Sequence, residues 1–175
     1  MLTLFFEKTA NMSEPCIPQD PTSCIPNPVF LGYSGSGSVQ GPLIYVNYGR
    51  KEDFELLKSQ GVSFNGSICV ARFGSIYRGN KPVNAQAYGA VGTILFIDPG
   101  LTGYLKGPVY PDGPWSTPFT VQRGSVWLGD GDPTTMGWPS TANGPRYTSQ
   151  EVRDPANTFG APLLSTPVNT PRLLF

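Results

Sequence analysis

The sequence predicts an α/β fold: a single domain with a mixed β-sheet of short strands flanked by short helices. Three observations carry that expectation. Residues 68–71 and 93–97 are short, β-branched, almost uncharged runs of the kind that make buried strands. Residues 83–88 between them have the length of one or two helical turns, so the right-handed crossover rule places both strands in one sheet with the helix over a face. A chain of 175 residues also suffices for one domain with a real core and hardly for two.

Residues 1–28 are dense in proline (Pro15, Pro18, Pro21, Pro26, Pro28) and lack a sustained period, which reads as an extended arm. Residues 29–33 supply an edge strand, and the Gly/Ser run 34–41 is a flexible connection. Residues 42–48 alternate well enough for a strand that Gly49 ends, and 52–60 follow as a short helix. Phe54 and Leu57, with Leu56 a further candidate, turn inward, and Gly61 stands where a C-cap glycine belongs. Asn65-Gly66 makes a tight turn into the strand at 68.

The loop 72–82 holds Arg72, Arg78 and Lys81 beside Gly74 and Gly79, and is the leading candidate for a functional site. Arg72, directly after the strand, reads as a structural ion-pair former, and Lys81 as a solvated side chain. Residues 99–138 are loop-rich, with strands expected at 121–128 and 117–119, and Tyr104, Tyr110, Trp115, Trp127 and Trp138 argue for ordered loops. Residues 140–158 are polar and read as exposed, 161–168 as one more strand, and 169–175 as a tail. The pattern implies roughly six or seven strands and two or three helices.

Composition excludes several function classes. Twelve basic and twelve acidic side chains leave no net charge, which removes the electrostatic case for nucleic acid as a partner. Histidine is absent, so no imidazole general base, Ser-His triad or His-ligated zinc centre can be built from this chain. Asp112 and Asp132 lie in turn motifs, where aspartate bonds nearby amides, and neither is assigned to catalysis. Cys16 and Cys24 flank a proline-rich segment and their spacing leaves pairing open; Cys69, inside a strand, reads as a small buried hydrophobe. Asn11 and Asn65 head two glycan-acceptor sequons. No run approaches the roughly 20 apolar residues of a membrane span, and the first eight residues are too short for a signal-peptide core. Either the protein is cytosolic or a targeting segment lies outside this chain.

Five blocks arrive in one order: YVNYGRKEDF from Tyr45, VARFGSIYRGNKPVNAQAYGAVGTILFIDP from Val70, YPDG at Tyr110, VQRG at Val121 and GDPTTMGWP from Gly131. Together, over residues 28–168, they resemble the protease-associated domain of the glutamate carboxypeptidase II family, with the transferrin receptor ectodomain a more distant relative. The resemblance implies a β/β/α swivelling fold over residues 29–168, inserted in a larger zinc peptidase ectodomain whose substrate cleft it roofs. Arg78 then matches an arginine that contacts the C-terminal carboxylate of an acidic peptide substrate, a task suited to its planar, always-charged fork. Ser125 falls where the family has an asparagine bonding the same group. Thr135 and Trp138 match residues that help bind a structural calcium through backbone oxygens, and Asn65 matches a glycosylated position.

In that family the zinc ligands and catalytic glutamate follow this domain, so the resemblance implies no catalytic residue and no cofactor of this chain's own, zinc and calcium belonging to the parent. Its partners would be the parent's peptidase and dimerisation domains, its setting the secretory pathway or the extracellular face of a membrane, and the chain itself a fragment with exposed apolar surface. The alternative is a non-catalytic peptide- or protein-binding, receptor-like interaction module. Arg78 favours the first reading and Ser125 the second.

Overall fold

The expected crossover unit is present, and a second copy of the same pattern precedes it. The computed structural model describes residues 13–35, 37–153 and 164–168; Asn11 and the tail 169–175 lie outside the described residues. In chain order the elements are β1 (Leu31–Gly32), β2 (Leu43–Tyr45), α1 (Lys51–Ser59), β3 (Ile68–Arg72), α2 (Asn80–Ala87), β4 (Gly92–Phe96), β5 (Gly124–Ser125), α3 (Ser149–Arg153) and β6 (Leu164–Val168). Strands β2, β3, β4 and β6 form a sheet in that order, and β1 pairs with β5 in a second. Every pairing in the two sheets is parallel, which corrects the expectation of one mixed sheet. Connectivity accounts for β2–β3 and β3–β4: helices α1 and α2 each return the chain to the same end of the sheet before the next strand begins.

Registers place Ile44, Cys69, Thr93, Ala71 and Leu95 on one face. Cys69, Ala71 and Leu95 are wholly buried there, in a core with Phe54 of α1 and Ala85 of α2. Phe54 stacks on Tyr88 with ring centroids 4.8 Å apart and meets the edge of Phe64 at 5.0 Å, an aromatic cluster that ties both helices to the sheet. Burial pushes the Cys69 thiol up to about 11, as befits a small core hydrophobe. Leu57 packs against this core, whereas Leu56 is 60% exposed. At about 100° per helical residue, Leu56 points roughly opposite Phe54. Gly61 and Val62 donate to the carbonyls of Lys58 and Leu57, closing α1 as its glycine implies. The opposite sheet face carries Leu43 and Tyr45, both about half exposed, with Tyr45 tilted on Phe96.

Three boundaries differ from the sequence reading. Helix α2 begins at Asn80, so Pro82 lies in its first turn, where a missing N–H costs no helical bond. The strand expected over 121–128 reduces to Gly124–Ser125, because the amides of Val121 and Trp127 go to the side chains of Glu14 and Ser125. The arm is not extended throughout: Cys16 and Cys24 form a disulfide around a 3-10 turn, Pro21–Cys24, that Asp20 caps through the Thr22 amide.

The entry to α1 depends on Asp53, which accepts from the Arg50 amide, the Arg50 guanidinium and the Asn47 amide group at 2.9–3.1 Å. Burial works against its ionisation, but these bonds outweigh it and hold the carboxyl down to about 2. Its folded pKa therefore lies below the unfolded value of about 3.9, so its stabilisation is present above that pH and lost as pH falls toward 2. Urea denaturation should show Asp53→Asn less stable at pH 7 by about 1.5–3 kcal/mol, with the gap narrowing between about pH 4 and 2. A gap that is constant across that window would refute the role given to this carboxylate.

Candidate functional site

The loop after β3 is held at both ends before it presents anything. At its start, the Arg72 guanidinium pairs with Asp98 at 2.7 Å, donates to Asn47 at 2.9 Å and lies 4.0 Å from the Tyr48 ring centroid. At its end, Lys81 is 1% exposed and donates to the backbone carbonyls of Tyr48 (2.6 Å) and Gly74 (2.8 Å). Burial draws its ammonium down to about 8, against the attraction of Asp53. Arg72 is thus the structural ion-pair former the sequence suggested, while Lys81 is corrected from a solvated side chain to a buried strut. The carbonyls that attract it belong to turns that no local sequence pattern shows facing one another.

Between these anchors the loop crosses to β5. The Tyr77 hydroxyl is shared between the carbonyls of Ser125 (2.8 Å) and Trp127 (2.9 Å). Gly79 is packed so closely that a Cβ there would stand 2.5 Å from the Val126 carbonyl oxygen. Arg78, between them, lays its guanidinium on Gly124, where an added Cβ would lie 2.3 Å from Nη1. The structure therefore brings Arg78 beside the strand that carries Ser125.

The electrostatics of Arg78 set it apart. Arg50, Arg72, Arg123 and Arg146 each hold a carboxylate within 2.9 Å. Arg78 is half-buried, is engaged by no carboxylate among the described residues, and has its Nε buried without an acceptor; its guanidinium carbon stands 5.8 Å from the Tyr77 ring centroid. A desolvated cationic donor left without an acceptor is costly. Ser125, which follows Gly124 in that strand, accepts the Trp127 amide at 2.9 Å through its hydroxyl, which keeps its own proton to donate. The Trp127 indole N–H is also buried without an acceptor, and its ring packs on Tyr33 at 5.7 Å. Sequence reasoning missed Tyr77, Gly124 and Trp127. Tyr77 at least adjoins Arg78, but nothing in the chain's order links residues 77–79 to 124–127.

Thr135 ends another turn, Pro133–Thr135, whose organiser is Asp132, and Trp138 follows three residues on. That carboxylate accepts from the Thr134 hydroxyl and amide, the Ser140 hydroxyl and the Arg146 guanidinium, which together hold it well below the usual carboxylate range. The Thr135 carbonyl accepts the Trp138 amide, the Thr135 hydroxyl shares a proton with Ser140, and the Trp138 indole donates to Pro145. Calcium takes six to eight oxygens. Here the nearby carboxylate is already neutralised by an arginine, so these residues do not fit a calcium ion by themselves. Among the described residues no group of three or more His, Cys, Asp or Glu side chains is placed to hold a metal. Asn65 stands exposed on its turn, while the hydroxyl of Ser67 in the same sequon is wholly buried and donates to the Phe64 carbonyl at 2.6 Å. No helix among the described residues is long and apolar enough to cross a membrane.

Comparison with known proteins places the chain in a family. The model of the PA domain matches residues 39–126. A probable glutamate carboxypeptidase of Arthroderma benhamiae is 42% identical over 135 residues, covering 72% of this chain and 19% of that protein. One of Arabidopsis thaliana is 44% identical over 126 residues, covering 71% of this chain and 18% of its own length. Transferrin receptor protein 1 of Gallus gallus is 38% identical over 110 residues, 63% of this chain and 13% of the receptor. The chain thus spans under a fifth of the length of these relatives.

Gly124 is the position on which the site's geometry tests most directly, since its φ of +154° and its contact with Arg78 both disfavour a side chain. Gly124→Ala should displace the guanidinium and destabilise the fold by about 1–3 kcal/mol in urea denaturation. Unchanged stability together with an unmoved Arg78 in a crystal structure of the variant would contradict this packing.

Proposed function

Because this chain belongs to the PA domain family and is similar to glutamate carboxypeptidases, we propose that it forms one wall over a peptide-binding cleft, with Arg78 as its anion-recognition residue. The observation that carries this reading is the half-buried guanidinium with no carboxylate among the described residues, in a protein where four other arginines each have one. A planar fork of donors fits the C-terminal carboxylate of an acidic peptide, and the free Ser125 proton supplies one further donor, directly or through a bridging water.

The reactive groups then belong to a neighbouring peptidase domain, where a zinc centre of the kind the family implies would polarise the scissile carbonyl and activate water. This chain's own residues would bind and orient the substrate terminus and exclude solvent above it. A neighbouring domain would also have to supply the carboxylates for any calcium bound at Thr135 and Trp138. The setting proposed is the lumenal or extracellular side of the secretory pathway. There the disulfide is chemically at home and Asn65 carries a glycan, added before folding because Ser67 is buried afterwards. A receptor-like interaction module remains the second reading. It is favoured by the similarity to transferrin receptor protein 1 and by the serine hydroxyl engaged with Trp127.

Titration of the isotopically labelled chain with a dipeptide ending in glutamate, followed by NMR, tests the first reading. Binding should perturb the Arg78 and Ser125 resonances, and Arg78→Ala should weaken it by about tenfold, the loss of one charge-assisted contact. Equal affinity in the variant would eliminate Arg78 as the recognition residue.

A further inference from the structure

Strand β5 offers Gly124 to Arg78, yet its partnership with β1 is only two residues long on each side. So short a parallel pair has little stability of its own. What holds it is a clamp from the N-terminal arm. The Arg123 guanidinium, next in sequence to Gly124, pairs with Glu14 at 2.6 Å and donates to the carbonyls of Asn27 (2.7 Å) and Pro28 (3.0 Å). The other oxygen of Glu14 accepts the Val121 amide at 2.8 Å. Glu14 therefore grips the chain leading into β5, while Arg123 grips the chain leading into β1. The Val126 amide, donating to the Gly32 carbonyl at 3.0 Å, completes the closure. Two residues beyond Glu14, the Cys16–Cys24 bridge closes the arm into a loop and restricts where that carboxylate can go.

We propose that Glu14 and Arg123 are positioning residues for the anion site, fixing Gly124 against Arg78, and that the Cys16–Cys24 disulfide keeps Glu14 engaged. This rests on Arg78 being the anion-recognition residue. The arm thereby becomes part of the site's architecture without touching the ligand. Positioning and simple electrostatics predict opposite signs. Removing the Glu14 charge leaves Arg123 unneutralised beside the site, which by charge alone strengthens anion binding; loss of the clamp weakens it.

The test uses the full chain with its disulfide intact, a glycyl-glutamate dipeptide as probe, and the Arg78 Nε–H resonance as reporter. Glu14→Gln and, separately, Arg123→Lys should weaken probe binding roughly threefold or more and shift the Arg78 Nε–H signal even without peptide. Glu14→Asp should restore part of both, and reduction of the disulfide should reproduce the Glu14→Gln effect in milder form. Amide exchange in β3 serves as the check that each variant retains its core. An unmoved Arg78 signal with unchanged affinity, or tighter binding by Glu14→Gln, would overturn the proposal. If the unaltered protein fails to bind the dipeptide, the recognition role of Arg78 falls, while the ligand-free Nε–H signal still decides whether the clamp positions that side chain.

Discussion

A buried ammonium holds the carboxyl end of the parallel sheet together. Lys81 reaches from the first turn of α2 to the carbonyl of Tyr48, beyond β2, and to that of Gly74, beyond β3. Burying a lysine is expensive, and the depressed pKa records that expense. The two short hydrogen bonds offset it by satisfying carbonyls that the ends of parallel strands leave without ladder partners. Because the strut joins turns from both crossover units, it also sets where the intervening residues 75–80 can go.

The proposed anion-recognition residue lies on that suspended stretch. With Arg72 fixed to Asp98 at one end and Lys81 buried at the other, Tyr77 and Gly79 are brought onto the backbone of 124–128. Arg78 is left between them with its charge unspent. Four arginines of this chain show the ordinary solution, which is a carboxylate in contact; the contrast makes Arg78 informative. The same contrast argues against a metal near Asp132, where Arg146 already occupies the place of a cation.

The two parallel sheets divide the labour. The larger one, with its aromatic cluster of Phe54, Phe64 and Tyr88, supplies the core and the rigid origin of the loop. The two-stranded one is too short to stand alone and borrows its order from Arg123, Glu14 and the disulfide-closed arm. A strand so dependent on side-chain contacts is a natural place for tertiary structure to depart from local pattern, and the reduction of the expected 121–128 strand to two residues follows from that dependence.

Local pattern alone determined the crossover units, the placement of Phe54 and Leu57 inward, the glycine that closes α1, and the family, because periodicity, capping and ordered motifs are written along the chain. It also singled out Arg78 from its motif and the chemistry of its fork. Tertiary structure decided that β1 with β5 and β4 with β6 also pair in parallel, that Lys81 is buried and that Leu56 is exposed. It also decided that Tyr77 and Gly124 flank Arg78, and that the arm braces the chain beside Gly124. Those outcomes depend on which backbone carbonyls and amides meet across long separations in the sequence, and a residue's identity does not specify the partner that folding will set beside it.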